Sequence, residues 1–204
     1  KFLYSNIGAG LLGQLLVARA GLPSYEELLT TRIAGPLGMR DTRVSWTADS
    51  WSRAAHQRGP RASGSPSGYV LLGGGAGGIK STVDDLLKFE GAYLGFQKTG
   101  FGPALNMTLE RRYARDTGES VGLLWNLDPR ENLVSKDGKV NGHLAFLLFS
   151  RQKQAGVVIC TTVGAKTRLK LLARKLLALL DSRPASAVAP ANGSGPEEDS
   201  DDED

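Results

Sequence analysis

The chain has 204 residues, 41% of them hydrophobic and 7% aromatic, enough to bury one sizeable core, and no part of it reads as a second folded domain. No stretch of about eighteen uncharged apolar residues occurs, which excludes a helical membrane span; even the Leu-rich run from Leu169 to Leu180 is interrupted by Arg174 and Lys175. The single cysteine, Cys160, excludes an internal disulfide and any multi-cysteine metal site, and reads as a small apolar residue on a strand.

Charge is unevenly placed. The net value is +4, yet from Pro184 onward there are seven acidic residues and no Lys or Arg, which leaves 25 basic against 14 acidic residues in Lys1 to Arg183. A body of about +11 attracts anions, whether substrate carboxylates, acidic lipids or nucleic acid. No nucleic-acid reading motif accompanies the charge, so no nucleic-acid partner is expected.

In chain order, Asn6 to Arg19 reads as a helix, with Ile7, Leu11, Leu12, Leu15 and Leu16 at three- and four-residue spacing and Gly21 as its stop. This apolar period starts within a few residues of Lys1, so the natural start of the protein is expected upstream. Ser24 followed by Glu27 is a capping-box pattern for a second helix through about Ile33, closed by Pro36 and Gly38. Thr42 to Tyr69 is polar and rich in Gly, Pro and Ser, and reads as a long loop with at most one short strand.

Tyr69 to Leu72 is β-compatible, Gly73 to Gly78 must be irregular, and Ser81 or Thr82 caps a helix to about Tyr93. Val121 to Leu127, Leu133 to Lys136, Leu144 to Phe149 and Val157 to Thr162 read as antiparallel strands joined by tight turns. Lys166 to Leu180 is the clearest helix, with Leu169, Leu172, Ala173, Leu176, Leu177 and Leu180 on one face to pack on that sheet. The division expected is a domain over residues 1–181 and a disordered acidic tail over 182–204.

Gly73, Gly75 and Gly78 satisfy G-x-G-x-x-G between a strand and a helix, but no acidic residue follows about twenty positions on and Lys80-Ser81 comes one residue too late for a P-loop. Close backbone-to-backbone approach is the better reading of those glycines. Tyr4 and Asn6, two residues apart at the mouth of the first helix, can both face one cleft. By themselves they read as a core tyrosine and a capping asparagine. His56 and His143 lack a partnering carboxylate pattern or metal-ligand spacing, and His143 reads as a packing residue.

Phe2 to Gly13 (FLYSNIGAGLLG), Ile33 to Thr42 (IAGPLGMRDT), Gly77 to Phe89 (GGIKSTVDDLLKF) and Val121 to Asn126 (VGLLWN) resemble, in order and approximate spacing, segments of class C β-lactamases and their esterase and D-alanyl peptidase relatives, within the penicillin-binding-protein family. The resemblance covers about residues 1–180. It implies an α/β fold of the α+β type: an antiparallel sheet flanked by helices, with a helical lobe beside it and the N-terminal part of the fold absent from this chain. It further implies acyl transfer through a serine, with Tyr4 as the proton-transfer phenol, Asn6 and Lys136 orienting substrate, and Lys136-Asp137-Gly138 as the strand that edges the cleft. Asp137 stands where the family has a small residue, and Lys139-Val140 where small or hydroxyl residues are common.

The family's nucleophilic serine, followed three residues later by lysine, lies tens of residues before the Tyr-x-Asn. The only Ser-x-x-Lys here is Ser150 with Lys153, in an expected turn, and reads as coincidence. The chain alone is therefore expected to be inactive, with apolar surface exposed. The expected substrate is a small-molecule or peptidoglycan-like acyl compound, and no cofactor or metal is implied. An extracytoplasmic location follows from the resemblance alone. The competing expectation is a non-catalytic binding or scaffold module that kept the cleft.

Overall fold

The computed structural model describes residues 2–55, 74–140, 142–163 and 165–181. The expected strand at Tyr69 to Leu72, His56, Gly73 and the tail at 182–204 lie outside the described residues. Among the described residues no helix is long and apolar enough to cross a membrane.

Helix α1 runs Asn6–Ala20; Ser5 caps it by accepting a hydrogen bond from the Gly8 amide, and Gly21 ends it in the left-handed conformation at φ +63°. Ser24 caps α2, Tyr25–Leu29, through the Glu27 amide, and the chain then winds one π turn, Thr30–Ala34. The second helix therefore ends where the sequence indicates, with its last five residues wound more loosely. Thr82 caps α4, Val83–Leu94, and Gly95 stops it.

One antiparallel meander forms the sheet: β1 Tyr113–Ala114, β2 Ser120–Val121, β3 Asn126–Asp128, β4 Leu133–Val140, β5 His143–Ser150 and β6 Ala155–Thr161, adjacent in that order. Side-chain alternation along β4 and β5 divides the core in two. Leu147 and Phe149 face α4 and meet Tyr93 and Trp125, whose indole donates to the Tyr93 hydroxyl at 3.1 Å. Leu144, Phe146 and Leu148 face α6, Lys166–Asp181, and meet Leu169, Ala173 and Leu177. The sheet thus has helices on both faces, with the α1–α2 hairpin beside it.

Several expectations are corrected. The stretch after Thr42 holds a single-turn helix, α3 Ala48–Ser52, made by a reciprocal Thr47–Ser50 capping box; one turn is too short to show an apolar period. Val121 to Leu127 is two short strands, because Gly122 to Trp125 closes a tight hairpin in which Leu124 adopts φ +66°. Strand β4 extends four residues beyond Lys136. Helix α5, Gly102–Leu109, and β1 were not foreseen. Cys160 is on β6 as expected but exposed.

Two helix faces also differ. On α6 the buried stripe is Leu169, Ala173 and Leu177, while Leu172, Leu176 and Leu180 are exposed. On α1 the sides are reversed: Gly10, Gly13 and Val17 are buried, and Ile7, Leu11, Leu12, Leu15 and Leu16 are exposed. The reason is a backbone contact. A Cβ placed on Gly75 would lie 3.2 Å from both the Gly13 Cα and the Ala9 carbonyl, so the helix meets the glycine run through its own glycines. Gly75 and Gly78 serve close approach of backbone to backbone, as the sequence suggested. The expected exposure of apolar surface is thus located on α1 and α6.

Candidate active site

The N-terminus of α1 and the middle of β4 come together at one edge of the sheet. Tyr4 lies just before the Ser5 cap, exposed, and the Lys136 Nζ sits 4.9 Å from the centre of its ring. An ammonium over an aromatic face is attracted by the ring quadrupole. This contact joins residues 132 apart in sequence. Asn6, the first residue of α1, is exposed.

Strand alternation sets what faces this cleft. Lys136 pairs in register with Leu147 and Gly138 with Ala145, so both are on the α4 side of the sheet. Asp137 pairs with Phe146 and faces the other side, where it forms an ion pair with Lys166 at the start of α6. The unusual residue after Lys136 therefore does not enter the cleft. Among the described residues, a Cβ built on Gly138 meets no atom within 4 Å, so the space beside it is open to a ligand. At the far end, a Cβ on Gly77 would touch the Val140 side chain at 3.0 Å, which brings the glycine run against the end of β4.

Burial holds the Lys136 ammonium below the ordinary lysine range; Lys166 and Arg115 push the same way and Asp137 opposes. A half-buried lysine whose neighbouring carboxylate lies on the opposite face is ready to pair with an incoming anion. Arg115 was not singled out in the sequence. It follows β1, donates to Glu119 at 3.3 Å and to Asn126 at 3.2 Å, and stacks over the Phe2 ring at 5.6 Å. Its acceptor Asn126 pairs in register with Ser135 and so lies on the α6 side of the sheet, opposite Lys136.

Of the remaining candidates, His143 is a tie: its Nε2 is 2.6 Å from the Ala55 carbonyl, joining the segment after α3 to the start of β5. Ser150 is fully buried at the end of β5, and its hydroxyl accepts from the Lys153 amide at 3.3 Å, which fits a turn and not a nucleophile.

Comparison with known proteins bears on the family and the fold. Residues 1–181 match the family described as beta-lactamase. The chain is 27% identical over 184 residues to the D-alanyl-D-alanine-carboxypeptidase/endopeptidase AmpH of Escherichia coli (strain K12), a match covering 82% of this chain and 46% of that protein. Among solved structures, a class C beta-lactamase superposes with a TM-score of 0.78 at 25% identity, covering 89% of this chain and 58% of its own. A beta-lactamase/D-alanine carboxypeptidase from Pseudomonas syringae gives 0.73 at 24% identity, covering 85% and 58%, and supports the fold alone. The chain spans about half the length of the curated relatives it matches.

Proposed function

Because the chain belongs to the beta-lactamase family, we propose that it forms the proton-transfer and substrate-holding side of a serine acyl-hydrolase that opens an ester, amide or β-lactam through an acyl-serine. The observation that carries this reading is the Lys136 ammonium over the Tyr4 ring at 4.9 Å. Tyr4 moves the proton between the attacking serine hydroxyl and the leaving group. Asn6 and Lys136 orient the acyl compound, and Gly138 leaves room for it. An anionic substrate suits the position of Lys136, and a peptidoglycan-like acyl compound fits the carboxypeptidase named among the relatives. Such a substrate would put the protein outside the cytoplasm.

The reactive serine is not among these 204 residues in the family's Ser-x-x-Lys form, since the one match is the buried Ser150. A longer protein containing this chain is therefore the object to test. It is incubated with a fluorophosphonate probe beside its Tyr4→Phe variant and the 204-residue chain, and intact masses are followed in time. One adduct on a serine outside this chain, slower in the variant and absent from the 204 residues, supports the reading. No adduct on the folded longer protein would sink it in favour of a non-catalytic binding module.

A further inference from the structure

Lys136, Gly138 and Val140 lie on one face of β4, because the pairing with β5 steps residue by residue from Val134 to Val140 with no bulge. Along that face a long cationic side chain is followed by none, and then by a branched apolar one. Gly138 pairs with Ala145, which adds only a methyl group, so among the described residues a notch opens between Lys136 and Val140. At about 3.3 Å per residue, the Cα atoms of its two walls are about 13 Å apart.

The far wall is built from two elements. A Cβ on Gly77 would lie 3.0 Å from the Val140 Cγ2, so the isopropyl group rests against the glycine run. Gly77 has φ +82°, a conformation that favours glycine. The run is itself held on other sides: Gly75 lies against the backbone of α1, and the Gly78 amide donates to the Gly74 carbonyl at 3.1 Å. The Lys80 ammonium donates to the Gly78 carbonyl at 3.1 Å and to the Val44 carbonyl, and stands 5.4 Å from the centre of the Trp46 ring. A wall pinned by such backbone contacts yields little to a larger ligand, since overpacking a fixed contact is costly.

We propose that Val140 is a specificity-determining residue that ends the cleft, so that the site takes a carboxylate at Lys136 whose attached chain is apolar and short enough to stop at the isopropyl group. The inference rests on the placement of an anionic substrate at Lys136 argued above. Gly138, Ala145 and Val140 present no polar side chain to the notch, so each methylene laid along it leaves water for apolar surroundings until the wall is reached.

The test titrates the full, isotopically labelled 204-residue chain with acetate, butanoate, hexanoate and octanoate at fixed ionic strength, following the NMR amide signals of Gly77, Gly138 and Lys139. Affinity read at these amides should rise about twofold to fourfold per methylene from acetate and stop rising by hexanoate. Val140→Ala lengthens the notch and should carry the rise on to a longer chain, and Val140→Leu should stop it at a shorter one. Lys136→Met should weaken every member of the series. A packing role for Val140 predicts the same length limit in both Val140 variants. That result, a rise continuing through octanoate in the parent chain, or shifts confined to other amides overturns the proposal; octanoate held by the exposed leucines of α1 would give the last of these. Fluorophosphonate labelling of the longer protein reports separately on the acyl-serine reading. Labelling beside a failed titration rejects the end wall alone, and a length limit beside absent labelling keeps the notch as a binding site while rejecting the chemistry.

Discussion

The Asp85 carboxylate accepts a hydrogen bond from the Thr42 hydroxyl at 2.9 Å, across 43 residues of sequence. The same oxygen accepts the Asp41 amide at 2.8 Å, and Lys88 pairs with the other. Asp85 is buried in the first turn of α4, where its carboxyl oxygens would otherwise lack hydrogen-bond partners. This joint fastens the segment after α2 to the helix under the sheet, and so fixes the glycine run between them. Thr42→Val keeps the shape and removes one donor to a buried carboxyl group. It should lower the free energy of unfolding by about 1.5–3 kcal/mol, read from the urea midpoint at constant slope.

Two glycines near the cleft should answer differently to the same change. Gly75→Ala drives a methyl group against the α1 backbone and should cost about 1–3 kcal/mol by overpacking. Gly138→Ala meets nothing and should stay within about 0.5 kcal/mol. Gly138→Val should likewise fold, yet fill the open space beside Lys136 and slow fluorophosphonate labelling of the longer protein. Labelling at the unaltered rate in a folded Gly138→Val protein would remove Gly138 from the site.

The helices were legible where their caps are local: Ser24 and Thr82 each sit three residues before the amide they bind, whereas the cap of α1 is Ser5 and not Asn6, the residue the sequence suggested. Which side of a helix is covered was less so. Leucine spacing on α1 marks a helix, but glycine carries no hydropathy signal, and the buried side is decided by Gly10 and Gly13 meeting Gly75. Hairpins with loops of two residues, such as Leu123-Leu124, hide inside an apolar run that reads as one strand. Tyr4 and Lys136 were paired through family resemblance, since no periodicity links residues 132 apart. Arg115 escaped because its neighbours in space come from the order of the strands, and strand order is not written locally.

Exposure separates leucines two residues apart on α6. Leu169 is 8% exposed against the sheet and Leu171 is 57% exposed. Leu169→Ala should cost about 2–5 kcal/mol, and Leu171→Ala about 0.5 kcal/mol or less. On α1, Leu15→Lys should cost as little in the 204-residue chain, and should reduce its self-association by breaking an apolar face. A loss of several kcal/mol for Leu15→Lys would show that this face is covered in solution. Equilibrium unfolding with sedimentation of the same samples decides between the two.

Glu90 sets the pH dependence expected of the whole fold. It is 2% exposed between α4 and the sheet, lying against Gly156 of β6, and its Oε1 is without a partner. Burial pushes its carboxyl up to about 8, opposed by the Leu148 amide. The unfolded chain ionises the same group near 4.5. Between these values the folded state binds more protons than the unfolded one, so stability is full below about 4.5, falls as pH rises, and reaches its floor above about 8. The slope is no steeper than about 1.4 kcal/mol per pH unit. Asp128 works in the opposite sense: Arg174 and the Arg130 and Glu131 amides outweigh its burial and hold it below the ordinary range, so its contribution is lost only as pH falls below about 4. Maximum stability is therefore expected on the acid side of neutrality. Thermal midpoints from pH 5 to 9 should fall in the parent chain and flatten in Glu90→Gln, which keeps the shape without the proton. A Glu90→Gln chain with the parent's slope would assign the pH dependence to other groups.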